Sequence, residues 1–130
     1  MPFSLELLPA EYLICRLPAE APFPVWARGE NLLALIRTAD ELSVVCEGTD
    51  GFPDDVRVED DWRALKVRGP LDFSLVGVLA DLAGALAQAD VSIFALSTFD
   101  TDYLLVKSAD LPTAIDALNQ AGHQIDLPSS

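Results

Sequence analysis

The stretch "LVGVLADLAGALAQADVSIFALSTFDTDYLLVK", residues 75–107, decides the fold, because its hydrophobic period changes partway along. Leu75, Leu79, Leu82, Leu86 and Ala89 are spaced four, three, four and three apart, which puts them on one face of a helix beginning near Ser74. Ser74, or Asp72 before it, is placed to cap that helix. Gly77, Ala80, Gly84 and Ala87 are small positions that let a helix lie close to a sheet, although Gly84 costs about 1 kcal/mol against alanine in a helix interior. "VSIFALSTF" (91–99) is then rich in β-branched and aromatic residues, and "YLLVK" (103–107) is a second strand former. The "FDTD" between them reads as a short hairpin connection.

The same grammar extends to both sides. "WRALKVRG" (62–69) sets Ala64, Lys66 and Arg68 against Leu65 and Val67, as a half-buried strand does, and Gly69-Pro70 ends it. After the hairpin, Asp110 opens a second helix with Pro112 in its first turn and Leu111, Ile115 and Leu118 on one face. Gly122 stands where a helix end wants a positive φ, and "HQIDL" (123–127) is a short closing strand. The order strand, helix, strand, strand, helix, strand predicts an α+β, ferredoxin-like unit: an antiparallel four-stranded sheet with both helices on one face.

The N-terminal half is less regular. "SLELLPAEYLICRLP" (4–18) reads as two strands bent at Pro9, and "PFPVWA" (22–27) is too short and proline-rich for a long helix. "LLALIRTADELSVVCEG" (32–48) reads as a hairpin turning near Ala39-Asp40-Glu41. Residues 49–61 carry six acids and one base, the pattern of a solvated connector, and their acids do not fit calcium-loop spacing. Two similar halves with the helices shortened in the first account for the whole chain: a degenerate module over 1–61 and a complete one over 62–130.

Composition narrows the function. Half the 130 residues are hydrophobic, so a core can form, while the net charge of −13 opposes phosphate backbones and anionic lipid. No nucleic-acid or membrane partner is expected. Cys15 and Cys46 lie in apolar runs and read as reduced, buried thiols; with one histidine they fall short of a zinc site. No basic leader precedes Glu6 and Glu11, and Asp81 and Asp90 break the most apolar region into pieces too short to span a bilayer, so a cytoplasmic location is expected. No phosphate-cradling glycine loop, dinucleotide fingerprint or hydrolytic triad is present, and the Asp100–Asp102 pair has Leu104 where a phosphotransferase loop needs threonine. Neither enzyme activity nor a cofactor or metal is expected.

"STFDTDYLLV" (97–106), "LVGVLADLAGAL" (75–86) and "IRTADELSVVCEG" (36–48) together resemble the ACT-domain family, in the branch of small bacterial tandem-ACT proteins and the animal cytosolic arginine sensors of the TOR pathway. The resemblance implies a regulatory, non-catalytic protein that binds an amino acid or a related small metabolite between modules. It also implies a homodimer, since one such chain is half of a fused sensor. Carried over by motif, the ligand-binding residues are Leu75, Val76 and Gly77 before the helix and Thr98, Phe99 and Asp102 in the hairpin. Unpaired amides at a helix start suit a carboxylate, Gly77 allows close approach, Asp102 suits an ammonium or guanidinium, and Phe99 gives an apolar or cation–π wall. Each residue has a plainer reading: the aspartates as turn formers, Gly77 and Phe99 as packing, His123 as a surface or capping residue, and Trp26 and Trp62 as core or rim aromatics. The competing function is a protein–protein interaction module with no small ligand.

Overall fold

The computed structural model describes residues 2–69 and 77–128. The chain forms two compact units, Ala10–Trp62 and Met1–Pro9 with Arg63–Ser130. The first nine residues therefore group with the second half of the chain. Two strands are divided between the units, β1 (Ser4–Leu17) and β6 (Arg57–Val67).

The larger unit is α+β and ferredoxin-like. After β6 come α1 (Val78–Gln88), β7 (Phe94–Ser97), β8 (Asp102–Lys107), a 3-10 turn at Ser108–Asp110, α2 (Leu111–Gln120) and β9 (Gln124–Asp126). Its strands lie in the order β9–β1–β6–β8–β7. The β-α-β-β-α-β order is as expected, but the N-terminal strand enters as a fifth strand beside β6, and β9 pairs with it in parallel at Ser4–Glu6. Leu5 and Leu7 explain the insertion. They are buried in one cluster with Leu65 and Val67 of β6, Leu104 and Val106 of β8, Val78, Leu82 and Leu86 of α1, and Ala114 and Leu118 of α2. Alternate residues of three strands thus meet both helices, which places the two helices over one sheet face.

The helix α1 starts at Val78 with Gly77 at its N-cap; Ser74, Asp72, Leu75 and Val76 lie outside the described residues. Within α1, Gly84 does not serve close packing, because a Cβ placed there meets no neighbouring atom within 4 Å. Asp110 precedes α2 but makes no side-chain capping bond, while Pro112 stands in the first turn and Gly122 has a φ of 97° as expected.

The unit Ala10–Trp62 contains no helix. Its hairpin is β3 (Ala34–Arg37) and β4 (Leu42–Cys46), closed where Thr38 N–H donates to Glu41 O at 2.9 Å. β4 also pairs antiparallel with the second half of β1, and β2 (Ala27–Arg28) pairs with β5 (Gly48–Thr49). Cys15, Leu17, Leu42, Val44 and Cys46 form the core, both cysteines being buried free thiols. A hydrogen bond to Cys46, reinforced by burial, holds the Cys15 thiol protonated.

Two local expectations fail here. Residues 4–17 are one strand rather than two bent at Pro9, since an exposed proline's fixed φ is compatible with extended backbone. The acidic run 49–61 is only partly a connector: β6 begins at Arg57, and its first five side chains are exposed. Solvated charges on both faces erase the alternation by which a strand is recognised.

Candidate functional site

The hairpin β7–β8 is built from the register upward. Phe94, Ala95, Leu96 and Ser97 face Leu105, Leu104, Tyr103 and Asp102. The loop 98–101 closes with Thr98 N–H donating to Thr101 O at 2.8 Å, and Thr98 Oγ1 accepts from Thr101 N–H at 3.3 Å. Thr101 is only 5% exposed, and its hydroxyl donates to Val67 O at 2.6 Å, anchoring the loop to β6. This anchor was not foreseen. A threonine inside a polar turn carries no sequence signal for which neighbour its hydroxyl will meet.

The two aspartates differ. Asp100 is exposed at the loop tip, whereas Asp102 is the first residue of β8, directly opposite Ser97. Ser97 Oγ donates to Asp102 Oδ1 at 2.6 Å, so one carboxylate oxygen is oriented by a neighbour on the facing strand. Asp102 is therefore a strand residue at the mouth of the hairpin and not a turn former. Phe99 stands 78% exposed at the tip, which removes the core-packing reading. Thr98 is exposed and its side chain serves the loop.

Gly77 has φ 86° and ψ 1°, a left-handed conformation that a Cβ disfavours, and open space surrounds the position a Cβ would take. Its need for glycine is thus conformational. Gly77 O accepts from Asp81 N–H at 2.8 Å, closing the first turn of α1, whose leading amides have no partner within the helix. Leu75 and Val76 lie outside the described residues, so the turn before the helix is represented by Gly77 alone. The structure brings Thr98, Phe99 and Asp102 together on one hairpin.

His123 differs from its expected surface role. It is 6% exposed, its ring stacks on Phe3 with centroids 5.7 Å apart, and its Nδ1 accepts from Phe3 N–H at 3.0 Å. Burial pushes its pKa below the ordinary 6.5. The imidazole thus joins the N-terminal strand to the end of the chain as a neutral acceptor.

A second polar centre, absent from the sequence expectations, lies in the other unit. The Glu47 carboxylate accepts from Tyr12 Oη at 2.7 Å and from three consecutive backbone amides, Glu30 at 3.0 Å, Asn31 at 2.8 Å and Leu32 at 3.1 Å. Burial raises its pKa, but these donors outweigh burial and the net displacement is downward. Gly29 permits the loop, since a Cβ there would sit 2.3 Å from Leu32 O. Nothing in "CEG" or "RGENLL" signals that one acid caps a loop 15 residues away. Among the described residues, no group of three or more His, Cys, Asp or Glu is placed to hold a metal ion.

Comparison with known proteins completes the assignment. A family profile for the ACT domain matches residues 57–120, and an N-terminal-domain profile of a second family matches residues 10–55. A solved structure of a protein from Agobacterium tumefaciens is 39% identical with a TM-score of 0.89, covering 100% of this chain and 96% of that one. The ligand-free regulatory subunit of aspartate kinase from Thermus thermophilus superposes with a TM-score of 0.63 at 11% identity, covering 91% of this chain and 97% of that one. That likeness concerns the fold alone. The chain belongs to the ACT-domain family. Among curated proteins it is similar to the cytosolic arginine sensor for mTORC1 subunit 1, at 40% identity in Rattus norvegicus and 38% in Homo sapiens, over 60 residues in each. The matched segment is 45% of this chain and 18% of those relatives' length. Among the described residues, no helix is long and apolar enough to cross a membrane.

Proposed function

We infer that this chain is a non-catalytic, cytoplasmic regulatory protein that binds an amino acid between the C-terminal ACT modules of two copies. The tandem reading stands behind this, with a degenerate module over 1–61 and the ligand-bearing one over 62–130, although the first nine residues fold with the second. The observation that carries the inference is Asp102, an acid set by Ser97 at the mouth of a hairpin that Thr101 ties to the sheet. The similarity to proteins named as arginine sensors supports the ligand class.

In this reading the first amides of α1 and the partial positive charge of its N-terminus receive the ligand carboxylate, with Leu75, Val76 and Gly77 shaping the approach. Asp102 receives the ammonium or a guanidinium, in two parallel bonds for the latter. Thr98 holds the loop, and the exposed Phe99 ring supplies a wall that a second copy encloses. An amino acid of about a dozen heavy atoms reaches roughly micromolar affinity at ordinary ligand efficiencies.

The test is a thermal-shift screen of the twenty amino acids, since a ligand that binds only the folded state raises the melting temperature. At least one amino acid is expected to raise it, with sedimentation giving a dimer, and Asp102→Ala is expected to remove the shift while circular dichroism is unchanged. A flat response at millimolar ligand would instead favour an interaction module without a small ligand. An undiminished shift in Asp102→Ala would place the ligand elsewhere.

A further inference from the structure

A groove of about 710 Å³ opens within the unit Ala10–Trp62, lined entirely by that unit's own residues. Its size falls in the range of small-molecule sites, roughly 300–1,000 Å³. One wall is the segment after β1 and the other is Pro53–Asp55. Pro18, Pro22 and Pro53 line it, and their rings fix φ. Backbone bonds set the first wall further: Ala21 N–H donates to Pro18 O at 3.0 Å, and Ala27 N–H to Pro24 O at 3.1 Å. The Arg37 guanidinium binds the carbonyls of Ala19 and Ala21, the latter at 2.8 Å. Such a groove is preorganised, so little ordering entropy opposes an occupant.

The lining has one chemical character and its rim another. Trp26 packs on the core of the unit and meets Phe52 edge-on, ring centroids 6.0 Å apart. Phe23 and Val25 add apolar surface that is 67% and 82% exposed. Every ionisable residue lining the groove is an acid: Glu20, Asp54 and Asp55. The unit as a whole sets twelve carboxylates against four arginines.

We propose that this groove binds a small organic cation, an ammonium or guanidinium carried on an apolar stem and lacking a carboxylate. The stem removes apolar wall from water, the charge meets the acids, and Trp26 offers a face to the cation. A zwitterion binds more weakly, because its carboxylate would approach the same three acids, while the nearby Arg37 guanidinium is engaged by the Ala19 and Ala21 carbonyls. A second copy of this unit is a poor occupant for the same reason, since it too sets twelve carboxylates against four arginines. The groove therefore asks the opposite of a ligand from the hairpin reading above, which requires a carboxylate, and the two stand or fall separately.

The test uses the full chain labelled with ¹⁵N, with the two indole signals assigned through Trp62→Phe. 2-Phenylethylamine is the probe, and phenylalanine, the same stem and amine with a carboxylate added, is its control. Saturable shifts at the Trp26 indole and the amides of Asp54 and Asp55 are expected from the amine, with phenylalanine about tenfold weaker there. The exposed pair Asp54→Asn/Asp55→Asn, in which Asn tolerates the positive φ of residue 55, is expected to weaken the amine about tenfold with the spectrum otherwise unchanged. Absence of saturable shifts overturns the proposal. So does equal binding of amine and amino acid, or an undiminished affinity in the Asn pair. A concentration-dependent mass that Phe23→Ser/Val25→Ser abolishes would make the patch a self-association surface and overturn it as well.

Discussion

The two units use different means to hold a small sheet. In the larger unit, α1 and α2 cover one face, and Leu82, Leu86 and Leu118 are wholly buried there. In the unit Ala10–Trp62 there is no helix; loops and the short β2–β5 pair accompany its β3–β4–β1 strands, and a single carboxylate, Glu47, gathers four donors from Tyr12 and one loop. Apolar burial is non-directional and tolerates exchange of one leucine for another side chain of similar volume. A carboxylate bound to converging amides is directional and tolerates almost nothing.

The largest effect expected is on the apolar side of this comparison. Leu82→Ala deletes a wholly buried side chain between helix and sheet and is expected to lower unfolding free energy by about 2–5 kcal/mol, read by urea denaturation. A loss below about 1 kcal/mol would mean the helix collapses onto the gap and the unit is less tightly packed than its burial indicates.

Next comes the polar clamp. Glu47→Ala removes the bonds that three backbone amides and the Tyr12 hydroxyl make to this carboxylate and is expected to cost about 2–3 kcal/mol, part of each loss being recovered from water at this partly exposed site. Hydrogen exchange at the amides of Glu30, Asn31 and Leu32 reports it directly. The pH dependence separates the units. Glu47 has a folded pKa below its ordinary 4.5, so its contribution is complete above that value and is lost as pH falls through the lowered one. His123 also has a lowered folded pKa, but from 6.5: the unfolded chain takes up a proton first, so stability is complete above 6.5 and declines as pH falls below it. His123→Gln is expected to flatten the fall in melting temperature that begins below pH 6.5, and Glu47→Gln the fall that begins below 4.5. An unchanged profile in either variant removes that group from the account.

These two groups also mark where sequence reading stopped. The helices and the β7–β8 hairpin were legible because residues 75–107 switch from a period near 3.6 to strand formers, and period depends on local residues only. The entry of β1 beside β6 was not legible. Leu5 and Leu7 alternate as any strand would, and which edge they join is fixed by burial with residues 58 to 113 positions away. Around the candidate site, the β7–β8 connection and the glycine at the start of α1 were legible from residue type. The anchors were not: Thr101, Glu47 and His123 act through bonds to backbone atoms, and every residue supplies those alike.

Thr101→Val tests one anchor. The exchange keeps shape and removes the hydroxyl that reaches Val67 O, so a cost of about 1–2 kcal/mol is expected. The ligand-induced thermal shift proposed above should shrink with it, because the loop that presents Asp102 loses its tie to β6. A full stability loss with an intact shift would show that the hairpin keeps its own geometry without the anchor.

The smallest effect sharpens the comparison within α1 itself. Gly77 and Gly84 are both in the stretch that resembles the family, and either is open to a functional reading from sequence. Their surroundings differ in one respect: Gly77 has φ 86°, whereas Gly84 lies in the helix interior, with no atom within 4 Å of an added Cβ. Gly77→Ala is therefore expected to destabilise, while Gly84→Ala is expected to stabilise by about 0.5–1 kcal/mol, because alanine has less unfolded-state entropy to lose and meets no obstruction. Thermal denaturation of the two single variants decides it by sign. Destabilisation by Gly84→Ala would mean that something covers that face of α1 in solution, and a second ACT module is the first candidate to examine there by sedimentation.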